Sequence, residues 1–397
     1  AGVGYGLEWV FVDAMKHAAA AWVSVPAQDS ANTSAQQYVW GDGQPVDVDP
    51  LGYPRRVGPA QELVVLTLRD LCLHGTAGRY VVLYEGDGHL DFGMDASVMA
   101  RRRGRVDVAF RPTCNPACWF DRPGWQPYCT DNGLYVRVVS TSPANPLRSI
   151  RIVAPGFLHR HEAQPFHPYY LKSLQRYSVL RFMGMQDTNN AQDEVRWADR
   201  KQVGDRTYQG GVPLEHLLLL ANTLGADPWF CMPHQADDDY VRRFAEMTLA
   251  RLRPDVAIYV EYSNEVWNLL FSQGKYAQQQ GLALNLTSIG PRCVTSADQC
   301  PRYRFHARRS REVFGLWAAA FGPARRHRLR FVLSSWTESP AASREMLAFE
   351  DAYRHADYLG IAGYLSAAAP VTSAWAAKAV PDVFRELYAA LPAAAQK

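Results

Sequence analysis

The sequence predicts an α/β protein with a (β/α)-barrel, incomplete at its C-terminal end, and an inserted antiparallel β-sandwich. From about residue 160 onward, continuously apolar runs alternate with amphipathic segments, which is the pattern of a parallel sheet covered on both faces. Between about 60 and 155, runs of alternating polarity are separated by Gly, Asp and Pro turns, which is typical of antiparallel strands. No glycine-rich phosphate loop follows the first apolar run, which counts against a dinucleotide-binding fold.

Six segments of the chain are predicted to be barrel strands. They are 2–9, 177–185, 228–234, 256–263, 328–336 and 357–365. The predicted helices are 11–22, 213–225, 237–252, 341–356 and 380–391. A closed barrel of this type has eight strands. Either the remaining strands lie beyond Lys397, as we expect, or the barrel is incomplete or closed differently.

The region between the first two predicted barrel strands is expected to form the sandwich. Its predicted strands are 63–69, 79–86, 105–110, 134–140 and 147–153. The chain therefore divides into a first βα unit with its loop (1–58), the inserted sandwich (59–157) and the remainder of the barrel (158–397). Two roles for the sandwich stay open. Either Trp119, Trp125 and Tyr128 stack on sugars, or the sandwich only packs on the barrel and shapes one wall of a cleft.

The charge and hydropathy of the chain exclude several classes of protein. The formal net charge is only +3 over 397 residues, without the basic excess that nucleic-acid-binding proteins usually carry. No apolar run is long enough to cross a bilayer. We therefore expect neither a nucleic-acid nor a membrane partner. No cofactor is predicted, and the expected state is a monomer.

The seven cysteines favour a secreted protein. Two groups lie in loops rich in Pro, Asn and Asp that suit a disulfide, namely Cys114 with Cys118 and Cys129, and Cys293 with Cys300. Glycosylation sequons at Asn32 and Asn285 agree with secretion. Cys72 or Cys231 is expected to be buried and free. Because the chain begins at Ala1, it is expected to be numbered after a cleaved signal or to be a fragment.

Polar and aromatic side chains gather where the predicted parallel strands end. These are Arg181, Asn190, His234, Asn264, Glu265, Trp336, Glu338 and Tyr364. In a barrel of this kind, function is carried by the loops at the carboxyl ends of the strands. Each residue singly is compatible with an ordinary polar rim, but their recurrence at successive strand ends predicts a functional site.

The pair Asn264-Glu265 at the end of the fourth predicted strand resembles the acid/base motif of the clan A glycoside hydrolases. The segments VFVDAMKHA, YEGDG, LRFMGM, EYSNEVWN and ADYLGIAGYL also resemble those of poorly characterised secreted proteins related to that clan. The resemblance implies a retaining hydrolase of β-linked polysaccharide or oligosaccharide. It implies that Glu265 donates the proton, that Asn264 holds the sugar 2-hydroxyl, and that a glutamate on the seventh strand is the nucleophile.

Elementary chemistry supports the same roles. Glycoside cleavage needs one carboxyl that protonates the leaving oxygen and a second that attacks or activates water. Packing by Trp267 and Tyr262 is expected to keep Glu265 protonated by burial. Arg181 is expected to hold the second carboxylate ionised. The predicted substrate-binding residues are Arg181, Asn190, His234, Trp267, Trp336 and Tyr364.

Several alternatives remain open from the sequence. Glu261 is interpreted as a buried ion-pair partner of Arg181 rather than a catalytic group. Glu338 is either the nucleophile or a loop carboxylate capping the helix that begins after Pro340. The chain as a whole is alternatively a non-catalytic carbohydrate-binding or cell-surface protein. A metal-dependent hydrolase using His234 with residues 237–239 is a third hypothesis, although three acids at a helix N-terminus are explained more simply by the helix dipole.

Overall fold

The structure is a computed structural model that describes residues 10–27, 41–69, 76–113 and 133–363. These residues form three sheets, two of them antiparallel with four strands each and one parallel with five strands. The prediction of a (β/α)-barrel is wrong for the described residues, because the parallel strands form an open, curled sheet and not a closed barrel.

The antiparallel sheets contain β1 to β8. The strands are β1 (Val23–Pro26), β2 (Gln61–Thr67), β3 (Gly78–Glu85), β4 (Gly88–Met94), β5 (Ala96–Arg102), β6 (Arg105–Phe110), β7 (Leu134–Thr141) and β8 (Arg148–Val153). One sheet has the order β1-β2-β7-β4 and the other has the order β5-β6-β3-β8. Apolar residues of both sheets, among them Val65, Val82, Val108 and Val136, pack into one shared core. The two sheets therefore form the two layers of one packed unit.

The first part of this unit departs from the prediction of a helix at 11–22. The chain forms only a short 3₁₀ helix, Ala14–His17, which Asp13 caps, and Ala18 then returns to extended backbone. Met15 and Trp22 are buried in the core shared by the two antiparallel sheets. Tertiary packing here overrides the helix propensity of the alanine run, which alone favours a helix. As a result, β1 pairs with β2 although it precedes the predicted insert.

The parallel sheet has the strand order β13-β12-β11-β10-β9. Its strands are β9 (Val179–Arg181), β10 (Asp227–Met232), β11 (Ile258–Tyr262), β12 (Leu329–Trp336) and β13 (Tyr358–Ala362). The helices around it are α1 (Pro168–Leu174), α2 (Leu214–Leu224), α3 (Asp238–Arg251), α4 (Ser272–Ala283), α5 (Cys300–Phe321) and α6 (Pro340–Ala348). The predicted segments that fall on these strands and on α2 and α3 are confirmed, whereas α1, α4 and α5 were not predicted. The predicted helix 341–356 is confirmed only in its first half, because α6 ends at Ala348 and a 3₁₀ helix, Phe349–Arg354, follows.

One face of the parallel sheet packs against helices. Phe230 of β10 stacks on Trp317 of α5 with ring centroids 6.1 Å apart, and Phe331 of β12 stacks on Phe314 of the same helix at 4.7 Å. Side chains alternate across a strand, so the neighbours Trp229 and Glu261 point to the opposite face. That second face carries the polar residues discussed below.

The strand–helix repeat in the sequence predicted correctly which strands are neighbours, but it could not predict whether the sheet closes into a barrel. A strand–helix–strand repeat specifies that consecutive strands lie side by side, and this is what the sheet order shows. Closure depends on strand number, tilt and stagger around the whole ring, which no local pattern encodes. The predicted strand 2–9, the predicted helix 380–391 and Tyr364 lie outside the described residues.

The cysteine predictions are resolved only in part. Cys293 and Cys300 form a disulfide, as expected. Cys231 is buried and free, also as expected. Cys72, Cys114, Cys118 and Cys129 lie outside the described residues, as do Asn32 and the aromatic residues Trp119, Trp125 and Tyr128. Within the described part of the chain, no helix combines the length and the apolar character needed to span a membrane.

Candidate functional site

The carboxyl ends of β9, β10, β11 and β12 lie along one edge of the parallel sheet. Polar residues from this edge and from α4 form a connected group, which we call the strand-end cluster. Its members are Arg181, Asn189, Glu261, Asn264, Glu265, Asn268 and Gln273. Parallel strands bring such residues together because their ends share one edge.

Glu261 is a deeply buried carboxylate of the cluster. Its side chain is 1% exposed and lies 2.8 Å from the guanidinium of Arg181. The same carboxylate oxygen, Oε2, accepts hydrogen bonds from Trp229 Nε1 at 2.8 Å and from Cys231 Sγ at 3.5 Å. The predicted ion pair between Glu261 and Arg181 is therefore confirmed. The hydrogen-bonding capacity of Oε2 is therefore used within the protein.

Asn264 has a fixed side-chain orientation. Arg181 Nη2 donates to Asn264 Oδ1 at 3.0 Å, and Asn264 Nδ2 donates to Asn189 Oδ1 at 3.0 Å. Gln273 Nε2 donates both to Asn189 Oδ1 at 2.8 Å and to the carbonyl of Asn264 at 2.7 Å. Because a guanidinium only donates, the amide oxygen of Asn264 must face Arg181. One N–H of the Asn264 amide then remains for a further acceptor.

Glu265 follows directly and is half-buried. Its Oε2 accepts a hydrogen bond from Asn268 Nδ2 at 3.1 Å, and its backbone carbonyl accepts from the amide of Asn268 at 2.9 Å. Helix α4 lies close against this turn because Gly274 has no side chain, since a Cβ there would lie 2.1 Å from the Asn268 carbonyl oxygen. Close packing of α4 therefore helps to fix the position of Glu265.

The backbone on both sides of Asn264 is in the left-handed region. Ser263 has φ 57° and Glu265 has φ 43°. This conformation costs roughly 1–2 kcal/mol for a residue with a Cβ. Such strain is found disproportionately at ligand-binding and catalytic positions, where the surrounding structure enforces it. Two strained residues at the end of β11 therefore mark this turn as a functional candidate.

Arg181 links the carboxylates of the cluster electrostatically. Burial alone lowers the pKa of Arg181, but Cys231, Glu261 and Glu265 around it together raise that pKa above its usual value. The guanidinium also lies over the ring of Trp229, 5.2 Å from its centroid. Its side chain is 34% exposed, so the positive charge reaches the surface of the cluster.

Three of the predicted site residues lie outside the cluster because they are buried or point elsewhere. His234 is 2% exposed, packs edge-on against Tyr276 at 5.4 Å, and burial lowers its pKa to about 4. Trp267 is 7% exposed and belongs to the core beneath the parallel sheet. Neither side chain is placed to stack on or bind a sugar at the surface. Asn190 is exposed and donates to Asp187 at 2.8 Å, whereas its neighbour Asn189 is the residue that joins the cluster.

Two further predicted residues lie at the end of β12. Trp336 is half-buried and packs against the core beneath the parallel sheet. Glu338 is exposed in the turn before α6. The predicted cap of α6 is wrong for Glu338, because Ser339 accepts the hydrogen bond from the Ala342 amide instead. Tyr364 lies outside the described residues.

The structure adds Asn189, Gln273, Asn268 and Trp229 to the predicted residues. Asn189 was missed by one position within the run 187–190, where only side-chain packing distinguishes the two asparagines. Gln273 was missed because α4 was not predicted. Trp229 lies inside a strand, and the alternation of side chains that places it beside Glu261 was the available signal.

The acids proposed as metal ligands have other partners. Asp237 caps α3 by accepting from the Tyr240 amide at 2.7 Å, and Asp238 and Asp239 pair with arginines. Among the described residues, the one group with metal-ligand spacing is Cys293, Cys300 and Glu345, and its two sulfurs are joined in a disulfide. The metal hypothesis therefore has no support in the described residues.

Comparisons with protein-family models, with curated proteins and with solved structures find no match for this chain.

Proposed function

We propose that the strand-end cluster is a carbohydrate-binding site at which Glu265 acts as the general acid/base of glycosidic bond hydrolysis. The observation that carries the proposal is the strained turn at the end of β11, which holds Asn264 and Glu265 side by side above Arg181. Resemblance to the clan A motif and the chemistry of the residues point the same way.

Each member of the cluster then has a chemical role. The remaining N–H of Asn264 donates to a sugar hydroxyl, and that bond strengthens as positive charge builds at the anomeric carbon. Glu265 protonates the leaving oxygen and later removes a proton from water. Arg181 stabilises the negative charge of the site, and Gln273 keeps Asn264 in position.

The second carboxyl group is proposed to be Glu338. Glu261 is unsuited to attack because its side chain is 1% exposed and its Oε2 accepts from Arg181 and Trp229, whereas Glu338 is exposed just after β12, the strand next to β11. The clan pattern places the nucleophile three strands after the acid/base, so Glu338 departs from that pattern. A retaining reaction requires the two carboxyl groups to be about 5–5.5 Å apart, and an inverting one about 6.5–9.5 Å.

The proposed test measures hydrolysis of a panel of aryl β-glycosides that differ in the acidity of the leaving phenol. General acid catalysis is worth about 10²–10⁴-fold, and a good leaving group needs it least. We expect Glu265→Gln to lose most activity on the poor leaving groups and much less on a dinitrophenyl glycoside. A uniform loss across the panel, or no loss, would contradict the role of Glu265.

The matched control is Glu312→Gln, because Glu312 lies on α5, pairs with Arg309 and is not a member of the strand-end cluster. Its activity should equal that of the unaltered protein. Glu338→Gln should lose activity on every leaving group if Glu338 is the second carboxyl, since that group acts in each reaction.

Non-catalytic carbohydrate binding is the second candidate function. It is favoured by the full commitment of Glu261 to Arg181, which leaves Glu338 as the one exposed carboxylate proposed to assist Glu265. Retention of oligosaccharides with no release of product from any glycoside in the panel would support this function over hydrolysis. Secretion is likewise proposed, with the Cys293–Cys300 disulfide as its support.

A further inference from the structure

A cavity lies where two hydrophobic cores of the described residues meet. Phe11 and Tyr208 on its wall belong to the core beneath the parallel sheet, whereas Tyr53 belongs to the core of the antiparallel sheets. Its volume is about 320 Å³, within the range of small-molecule sites, which occur preferentially at such junctions. We call it the seam cavity. None of its lining residues belongs to the strand-end cluster.

Two cationic side chains, Lys16 and Arg151, line the seam cavity. Lys16 Nζ donates to the carbonyls of Val203 and Asp205 and lies 4.7 Å from the centroid of the Tyr208 ring. An ammonium group has three N–H donors, so one remains. Arg151 adds a guanidinium that is 38% exposed and pairs with the exposed Glu162 at 3.0 Å. Burial lowers the pKa of Lys16, although Asp13 and Asp205 raise it, so the ammonium is poorly solvated.

Two ring nitrogens on the cavity wall are buried without a hydrogen-bond partner among the described residues. They are Nε2 of His161 and Nδ1 of His216. Glu162 Oε1 is 3.9 Å from His161 Nε2, beyond hydrogen-bonding distance. Buried polar atoms are nearly always satisfied in folded proteins, so these two nitrogens are unmet hydrogen-bonding positions in the wall beside the cavity.

The acidic groups of the lining do not neutralise the cations Lys16 and Arg151. Asp13 Oδ1 accepts from the backbone amides of Met15 at 3.0 Å and Ile152 at 2.8 Å. This oxygen is therefore already occupied by bonds that connect the Ala14–His17 helix to β8. Glu162 is 72% exposed, so its charge is largely screened by water. The interior therefore favours a ligand that brings a negative charge.

We propose that the seam cavity binds a small organic carboxylate of monosaccharide size, with its carboxylate held by Lys16 and Arg151 and its body against the rings of Phe11, Tyr53 and Tyr208. The volume admits one six-membered ring with its substituents. This site is independent of the proposed hydrolase function.

The test is a binding titration with glucuronate, and glucose is the matched probe because it differs by having CH₂OH in place of the carboxylate. Glucuronate should raise the midpoint of thermal unfolding by about 2 °C or more near saturation, and glucose should not. Equal shifts with the two sugars, or none with glucuronate, would overturn the proposal.

Variants separate the seam cavity from other binding modes. Arg151→Gln should weaken glucuronate binding about tenfold or more through loss of a charge-assisted contact. Arg148→Gln is the matched control, because Arg148 lies on the same strand, pairs with Glu85 and does not line the cavity. Loss of binding in the control but not in Arg151→Gln would contradict the assignment.

A further variant is expected to bind glucuronate more tightly, which impaired folding cannot cause. Glu162→Gln removes the acid that competes for Arg151, so glucuronate should bind more tightly than to the unaltered protein. Weaker binding would count against the proposal. Glu265→Gln should leave glucuronate binding unchanged, and if it abolishes binding the ligand lies at the strand-end cluster instead.

Discussion

Two of the arginine–glutamate pairs in the described residues, Arg304–Glu345 and Arg181–Glu261, use the same chemistry in different ways. Arg304 and Glu345 are 2% and 5% exposed, and the guanidinium also donates to the carbonyls of Leu286 at 2.9 Å and Pro291 at 2.6 Å. We call this pair, with the nearby Cys293–Cys300 disulfide, the α5 anchor. In the strand-end cluster, by contrast, Arg181 is 34% exposed although Glu261 is 1% exposed.

The difference lies in what each network leaves unsatisfied. At the α5 anchor, Glu345 accepts from Arg304 and from the Val294 amide, so the charges are enclosed by their partners. In the strand-end cluster, Arg181 reaches the surface and Asn264 keeps a free N–H beside a strained backbone. A closed network stabilises the fold, whereas an open one can exchange partners with a ligand. This comparison predicts opposite results for matched substitutions.

The largest effect is expected at the α5 anchor. Arg304→Met leaves Glu345 buried without its charge partner, and breaking such a pair costs about 3–5 kcal/mol of the free energy of unfolding. Denaturant unfolding measures it. Arg326→Gln is the control, since the pair of Arg326 with Asp357 is partly exposed and such pairs contribute about 0–1 kcal/mol. Equal effects of the two substitutions would remove the distinction between the anchor and the surface.

Arg181→Met is expected to lower stability by about 2–3 kcal/mol, because Glu261 keeps only the hydrogen bonds from Trp229 and Cys231. It should also abolish glycan binding at the strand-end cluster, since Asn264 loses the group that orients it. Arg181→Lys should recover much of the stability but little of the binding, because an ammonium cannot replace the fork of a guanidinium. Full binding by the lysine variant would contradict the positioning role.

The histidine beside the α5 anchor gives a pH-dependent prediction of intermediate size. Burial lowers the pKa of His306 to about 3 in the folded protein, below the ordinary value that the unfolded chain retains. The unfolded state therefore binds the proton first as pH falls from about 6.5 to about 3, and stability is lost across that window. His306→Gln should flatten this loss, measured by unfolding at pH 7 and pH 4.5, whereas the exposed His327→Gln should not.

The smallest effects on binding and stability are expected for substitutions of the adjacent residues Asn189 and Asn190. Asn189 accepts from Asn264 and Gln273, so Asn189→Ala should weaken glycan binding and cost about 1–2 kcal/mol of stability. Asn190 is exposed and contacts only Asp187, so Asn190→Ala should change either quantity by less than about 0.5 kcal/mol. Equal losses from the two substitutions would show that the strand-end cluster cannot include Asn189 and leave out Asn190.

The sequence predicted correctly those elements whose residues follow a regular pattern of apolar and polar positions. Strand β11, followed by Asn264 and Glu265, could be predicted because a short continuous apolar run is typical of a buried strand. Helix α5 was not, since Arg302, Arg304 and His306 are buried and break the expected apolar periodicity. The charge partners that make this burial favourable come from distant parts of the chain, such as Glu345, and no local pattern reveals them.

The candidate site could likewise be predicted only in part from the sequence. The ends of β9, β10 and β11 could be placed on one edge from the parallel strand order, so Arg181 and Asn264 were correctly grouped with Glu265. The burial of His234 and Trp267 depends on α4 and on the packing of neighbouring turns. Sequence position alone therefore placed these two at the rim, although the folded chain encloses them.

The most direct test of the account compares Glu265→Gln with Glu345→Gln in two measurements, the free energy of unfolding and kcat/KM on an aryl glycoside. We predict that Glu265→Gln lowers kcat/KM about 10²–10⁴-fold and changes stability by less than about 1 kcal/mol. Glu345→Gln should lower stability by about 3 kcal/mol and leave kcat/KM of the folded fraction unchanged. A Glu265→Gln variant that loses stability but keeps its kcat/KM would contradict the account.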